Sequence, residues 1–378
     1  MKKVVISAAV AALFATDAAQ AQSSVTLYGV LDNGLNYTSN AKGHHAFAMV
    51  SGDSAETSFG LKGTEDLGGG LSAIFTLENG TNLNMGTLNE GGRLFGRQAF
   101  VGVASSNLGT VTMGRQYDAT IDLWSPFTAA GNTIGDLAAH PFDMDNADYD
   151  YRFNNSVKYV SPVWSGLQFE SVYGFSNSTN FSDNRAFSGG ISYGMGPFSA
   201  AVAYQWQQGS NFSSTGAVGG DGVFAADHQQ NVVAAAKWTF VNGSNVALAY
   251  SHVDVYAPTV ISSVANIGTQ SWSSWKFDNI EINGQYFFAP DLSLIGAYTF
   301  THGNLKKAAG ATSQNWNQVA LMLNYSLSKR TSLNIQGAYQ HTNGKTGTDL
   351  DVAHIIGSAD LSSSGNQMLY RVAMIHKF

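Results

Sequence analysis

Apolar and polar residues alternate with a period of two along most of this chain, and that alternation limits the fold more than any motif does. In Leu167-Gln-Phe169-Glu-Ser171-Val-Tyr173, the Leu, Phe and Tyr side chains share one face, with Gln168 and Glu170 opposite. The same scheme runs through Phe198 to Trp206, Ile280 to Phe288, Leu292 to Phe300, Val319 to Leu327 and Leu333 to Tyr339. Most of these segments carry an aromatic residue at one end or both, where a barrel that crosses a membrane places its interfacial girdles.

The connections between the segments alternate in length. Short turns with Gly, Pro, Asn or Asp chemistry fall at 65–70, 105–109, 161–166, 194–197, 241–245, 289–291 and 328–331. Long polar stretches occupy 39–57, 79–95, 118–150, 176–185, 208–227, 254–276, 302–315 and 341–366. Eight long loops and seven short turns link sixteen strands. A soluble sheet also alternates in polarity, but a strict long-short rhythm belongs to an antiparallel transmembrane barrel, with short turns at one rim and long loops at the other.

Composition supports the same reading. Charged residues make up 12% of the chain, about half the usual share for soluble proteins. Gly numbers 41, aromatic residues reach 12%, and beyond the first 21 residues no apolar run is long enough for a spanning helix. The absence of cysteine excludes disulfides, thiolate metal sites and cysteine catalysis. A net charge of −7 without any Lys/Arg run argues against nucleic-acid binding.

Residues 1–21 read as a secretory leader. Lys2 and Lys3 precede the short apolar run from Val4 to Ala15, and Ala19-Gln20-Ala21 supplies the small-x-small cleavage pattern, with Asp17 an unusual guest. The barrel is then expected over 22–378. At the other end, Tyr370, Val372, Met374, His376 and Phe378 share one face, and a last strand ending in Phe resembles the signal that delivers barrels to their assembly machinery.

Several segments carry a family resemblance: Val25 to Asp32, Phe59-Gly-Leu-Lys-Gly-Thr-Glu-Asp-Leu-Gly-Gly-Gly-Leu71, Arg97-Gln-Ala-Phe-Val-Gly-Val103, Leu108 to Tyr117, and the His-Lys-Phe ending. Together they resemble Gram-negative general porins of the beta-proteobacterial type. The resemblance implies an all-β fold: a sixteen-stranded antiparallel transmembrane β-barrel whose third loop folds into the lumen as a constriction. It also implies a homotrimer in the outer membrane, joined through strands near both termini and the second loop, 79–95. The expected partners are outer-membrane lipids, lipopolysaccharide, ions and small hydrophilic solutes. No catalytic group or cofactor is implied.

In that family, basic residues on the wall face acidic residues on the inward loop. Lys62 shares a face with Ser58 and Gly60, Arg97 matches a wall arginine, and Arg115 lies in the matching Gly-Arg-Gln-Tyr segment, although Val111 and Met113 share its parity. Arg152 opens the sixth strand. A lumenal position spares each of them the cost of facing lipid. The loop 118–150 holds seven Asp and no Lys or Arg; Asp118, Asp122 and Asp136 are its candidate pore residues. Its Trp124-Ser-Pro126-Phe and Ala139-His-Pro141-Phe stretches are apolar enough to pack on an inner wall. The acidic balance suggests a modest cation preference.

Other chemistries find less support. The run from Asp143 to Asp150 offers oxygen ligands for Ca²⁺ but lacks the Gly and Glu of an EF-hand loop. His44-His45 has no third ligand nearby. A barrel hydrolase needs a Ser–His or Asp–His pair at the rim, and no nucleophile motif such as G-x-S-x-G is present. A substrate-specific channel with an aromatic slide is the remaining alternative.

Overall fold

The computed structural model describes residues 24–208 and 215–378; the leader assigned to 1–21 lies outside them. Sixteen antiparallel strands form one closed sheet. They are β1 (Ser24–Ala41), β2 in two pieces (His44–Ser51 and Ser58–Gly68), β3 (Leu71–Asn82), β4 (Gln98–Ser105), β5 (Gly109–Gln116), β6 (Phe153–Val160), β7 (Leu167–Gly174) and β8 (Ala186–Met195). The second half comprises β9 (Phe198–Gln208), β10 (His228–Thr239), β11 (Asn245–Tyr256), β12 (Trp272–Ala289), β13 (Leu292–Lys307), β14 (Gly310–Ser326), β15 (Thr331–Gly344) and β16 (Asn366–Lys377). Each strand pairs with its sequence neighbours, and β16 returns to β1 from Val30↔Lys377 to Thr38↔Leu369, so no edge is left to pair with another chain.

The alternation translates directly into two faces. Ile280, Ile282, Tyr286 and Phe288 of β12 point outward and are exposed, as are Leu321, Leu323 and Tyr325 of β14. Asn279, Glu281 and Asn283 point inward and are covered. Such an apolar outside around a polar interior is stable only with lipid outside. Closure is local at the last residue: Phe378 exchanges both backbone hydrogen bonds with Gly29 at 3.0 Å. Its ring occupies the space a Cβ on Gly29 would need, 2.5 Å away.

Two of the eight expected long loops are not loops. β1 and β2 continue to a turn at Lys42-Gly43, and β13 and β14 pair out to Lys307↔Gly310. Their polar residues lie where the strands rise past the apolar belt. Water then meets both faces, so alternation fades while backbone pairing persists. The remainder of the expected first loop, residues 52–57, turns into the lumen and splits β2.

The interior is not uniformly polar. At the loop end, Val253, Val255, Trp275, Phe277, Leu305 and Trp316 of the wall form a buried apolar core. Phe142 and Met144 of the third loop, Phe224 of the fifth, Ile261 and Val264 of the sixth and Leu350 of the last pack onto it. Phe142 meets Trp316 edge to face, ring centres 5.9 Å apart. Burial of this kind, ~25 cal/mol per Å² of apolar surface, fixes these loops inside the barrel mouth.

Candidate functional site: the charged girdle of the lumen

Register places Tyr28 of β1, Gly60 of β2 and Glu78 of β3 in one inward row. The Tyr28 hydroxyl donates to Glu78 at 2.7 Å. Arg97, one residue ahead of β4, donates from Nε to Glu78 at 2.6 Å and pairs through Nη1 with Glu56 of the inward segment. Arg152, one residue ahead of β6, reaches the same Glu56 oxygen at 2.8 Å and donates to the Tyr117 hydroxyl at 3.2 Å. The Tyr117 ring lies against both guanidinium groups, 5.1 Å from Arg152 and 5.9 Å from Arg97, within cation–π range. Lys62 faces the lumen opposite Thr26 and Thr76, with its ammonium 5.2 Å from the centre of the Tyr28 ring.

Arg115 does not join this group. It is opposite Ala99, on the face of β5 that carries the exposed Val111 and Met113. Its guanidinium donates to the Gly96 carbonyl, Asn154 and Asp221, each at 2.5 Å. Arg93 holds the other Asp221 oxygen at 2.6 Å. Arg115 therefore ties the second loop to the fifth at the loop end.

The third loop, residues 117–152, runs along the inner wall. Its three candidate acids behave differently. Asp122 is exposed to the lumen and pairs with Lys158 of β6, which also meets Glu170 of β7 at 3.2 Å. Asp118 is fully buried and accepts hydrogen bonds from the Thr120 amide at 2.7 Å, the Thr120 hydroxyl and Asn146; burial raises its pKa against those bonds. It closes a turn. Asp136 sits against Asp53, whose carbonyl accepts its amide at 2.7 Å. Burial, and then the charge of Asp53, hold the Asp136 carboxyl well above the usual range. Loop and inward segment touch here because Gly135, at φ 77°, has no Cβ; one would lie 2.1 Å from the Asp53 carbonyl oxygen.

The loop is fastened to the far wall by backbone carbonyls and one ionic bridge. Asn283 donates to the Phe127 carbonyl at 2.8 Å, the Trp124 indole to the Ala234 carbonyl at 3.2 Å, and Gln318 to Leu137 and Ala139 at 3.0 and 3.1 Å. Fully buried His140 sits between Asp145 (Nδ1, 2.6 Å) and Glu281 of β12 (Nε2, 3.0 Å). Ser251 and Asn279 also donate to Asp145. Burial works against the imidazolium, yet the two carboxylates outweigh it and hold the His140 pKa well above its ordinary value. Asp145 is buried too, and His140 pulls its pKa below the usual range.

The sequence reading did not single out Glu56, Glu78, Lys158, Glu281 or Arg371. Lys158 was findable, since it alternates with the outward Val157 and Tyr159, and Glu281 alternates with Ile280 and Ile282 in the same way. Arg371 was masked by its inward neighbours Leu369 and Ala373; it is fully buried and pairs with Asp32 at 2.8 Å and Asp53 at 3.5 Å. Glu56 has no strand pattern to mark it.

A lipid-facing barrel with an inward loop and a ring of charged side chains defines a channel-type fold. A model of the Gram-negative porin family matches residues 7–345. An outer membrane porin protein of Bordetella pertussis is 38% identical over 250 residues, 58% of this chain and 63% of that relative. Outer membrane porin protein 32 of Delftia acidovorans is 35% identical over 221 residues, 55% and 60% of the two chains. These matches span about three fifths of the length of the curated relatives. Among solved structures, an anion-selective porin from Comamonas acidovorans shares the fold with a TM-score of 0.72 at 24% identity, over 94% of this chain and 100% of that one. The trimer form of OmpT from Vibrio cholerae superposes with a TM-score of 0.64 at 14% identity, over 94% and 99%. The chain belongs to the Gram-negative porin family. Membership in that family sets aside the hydrolase alternative.

Proposed function

We propose that this chain forms a water-filled channel in the outer membrane for passive diffusion of ions and small hydrophilic solutes. The carrying observation is the meeting of loop 3 with a charged wall inside a closed barrel: Asp122 pairs with Lys158, and beside them Arg97 and Arg152 lie against the Tyr117 ring. A pore selects by the width and charge of such a section. Lys62, Arg97 and Arg152 are its basic wall and Asp122 its loop acid; Asp118 and Asp136 shape the loop, and Arg115 braces the outer rim. The inner-wall aromatic residues Trp275, Phe277 and Trp316 are covered by loops, which supports a general pore over an aromatic slide.

In this reading residues 1–21 are removed on export, the mature chain assembles as a homotrimer among lipids and lipopolysaccharide, and Phe378 serves as the assembly signal. The test is purified protein in planar bilayers. Ohmic unitary steps in KCl are expected, and Asp122→Asn is expected to move the reversal potential in a KCl gradient towards anions. Absence of unitary steps from correctly assembled protein refutes the channel.

A further inference from the structure

We propose that Glu56 sets the ion preference of this channel by masking Arg97 and Arg152; the inference rests on the channel reading above. A single Glu56 oxygen is shared by both guanidinium groups. The Arg152 and Arg97 side chains keep 2% and 10% of their surface, whereas Glu56 keeps 33%. An ion in the lumen therefore meets the carboxylate before it meets the arginines.

The carboxylate is delivered by a braced segment. The Ser54 and Ala55 amides donate to the Asp32 carboxylate at 2.7 and 3.0 Å, and the Thr57 hydroxyl donates to the Asp32 carbonyl at 2.9 Å. Asn36 donates to Asp53 at 2.6 Å, and the Asp53 carbonyl receives the Asp136 amide from loop 3. Held this way, the break in β2 acts as a second inward element. It brings a negative charge to the wall that the family resemblance assigns to positive ones. Of the four cations in this section, Arg97, Arg152 and Lys158 are paired with Glu56, Glu78, Asp122 and Glu170, and Lys62 lies over the Tyr28 ring, so most of its basic charge meets a carboxylate.

Removing the charge of Glu56 leaves Glu78 as the carboxylate still paired to Arg97 and strips Arg152 of its carboxylate partner, so the section gains one unit of positive charge. At ~8 Å through a water-like dielectric, one unit charge changes the local concentration of a monovalent ion about 2.4-fold, in opposite senses for the two signs. The chloride-to-potassium permeability ratio is thus expected to rise about sixfold at low salt and less near 1 M, where screening is short-ranged.

The experiment compares wild-type protein with Glu56→Gln in planar bilayers under a KCl gradient, with Glu65→Gln near the turn end as a charge control. The expected result is a shift of Glu56→Gln towards anions with Glu65→Gln near wild type. Equal shifts in the two variants, or unitary steps with an unchanged ratio in Glu56→Gln, overturn the proposal. If Glu56→Gln does not assemble, Glu56→Asp keeps the charge but withdraws it by one methylene. A smaller shift of the same sign is then expected, and an unchanged ratio is again fatal. Failure of the channel reading looks different, since wild-type protein would itself give no steps.

Discussion

His140 offers the sharpest test of how loop 3 is held. Its imidazolium lies between Asp145 and Glu281 with no solvent access, so His140→Ala leaves two buried carboxylates facing each other without a cation. At an effective dielectric near 20, a charge pair ~4 Å apart is worth about 4 kcal/mol before desolvation, and removing one partner from a buried pair costs about 3–5 kcal/mol. The neutral anchors from Asn283, Trp124 and Gln318 remain, each contributing ~1 kcal/mol. The loop should therefore open locally and stay attached at its flanks. Two readouts follow: flickering of the open-channel current, and exchange of the Ala129 amide, which donates to Glu281 at 2.8 Å. Local destabilisation of this size speeds exchange by roughly a hundredfold or more. His140→Ala combined with Asp145→Asn and Glu281→Gln removes the stranded charges and should recover much of the protection. The pH dependence has a defined sign. A raised His140 pKa contributes stability that is complete below about pH 6.5 and is lost as pH climbs through the raised value. The depressed Asp145 pKa contributes above about pH 4 and is lost as pH falls through the lowered value. Wild-type channels should be quiet between those limits and noisier beyond either. A His140→Ala channel with wild-type noise and a protected Ala129 amide refutes the bridge.

Two further predictions separate residues that look alike in sequence. Arg97→Gln should move the reversal potential towards cations, whereas Arg115→Gln should leave it in place and instead loosen the second and fifth loops by about 3 kcal/mol through loss of the Asp221 pair, read as faster protease cleavage within 83–97; equal potential shifts in both would place Arg115 in the pore after all. Gly29→Ala should destabilise the closing seam by about 1–3 kcal/mol, because the added methyl meets the Phe378 ring and the Ser58 carbonyl, and Phe378→Ala should relieve the ring part of that clash; an unchanged melting temperature for Gly29→Ala refutes the fit.

The barrel was legible because the property that encodes it is local. In β7, Leu167 and Phe169 face out and Glu170 faces in, as their alternation requires, and the same phase holds through β9, β12, β14 and β16. Strand length was less legible. His302 to Lys307 read as loop because polarity on both faces erases alternation, yet they pair across to Asn315 and Gly310. Arg115 shows the limit on charged residues: its parity with Met113 was visible, but the partner that satisfies it, Asp221, lies 106 residues away in another loop. Parity states which face a side chain takes and nothing about what comes to cover it.

That distinction explains why the site differs from a simple opposition of basic wall and acidic loop. Asp118, Asp136 and Asp145 are spent on holding the loop's shape, through the Thr120 turn, the Asp53 contact and His140. Of the loop acids singled out from the sequence, only Asp122 is left facing the lumen and paired to the wall. An inward loop needs internal acids and apolar anchors to stay put in a wet cavity, and those residues are then unavailable to set a field. Beyond Asp122, the negative charge in that section has to come from outside the loop. Here it comes from Glu78 on a strand and from Glu56, on a short inward break in β2 that period-two reasoning skips because the break has no period.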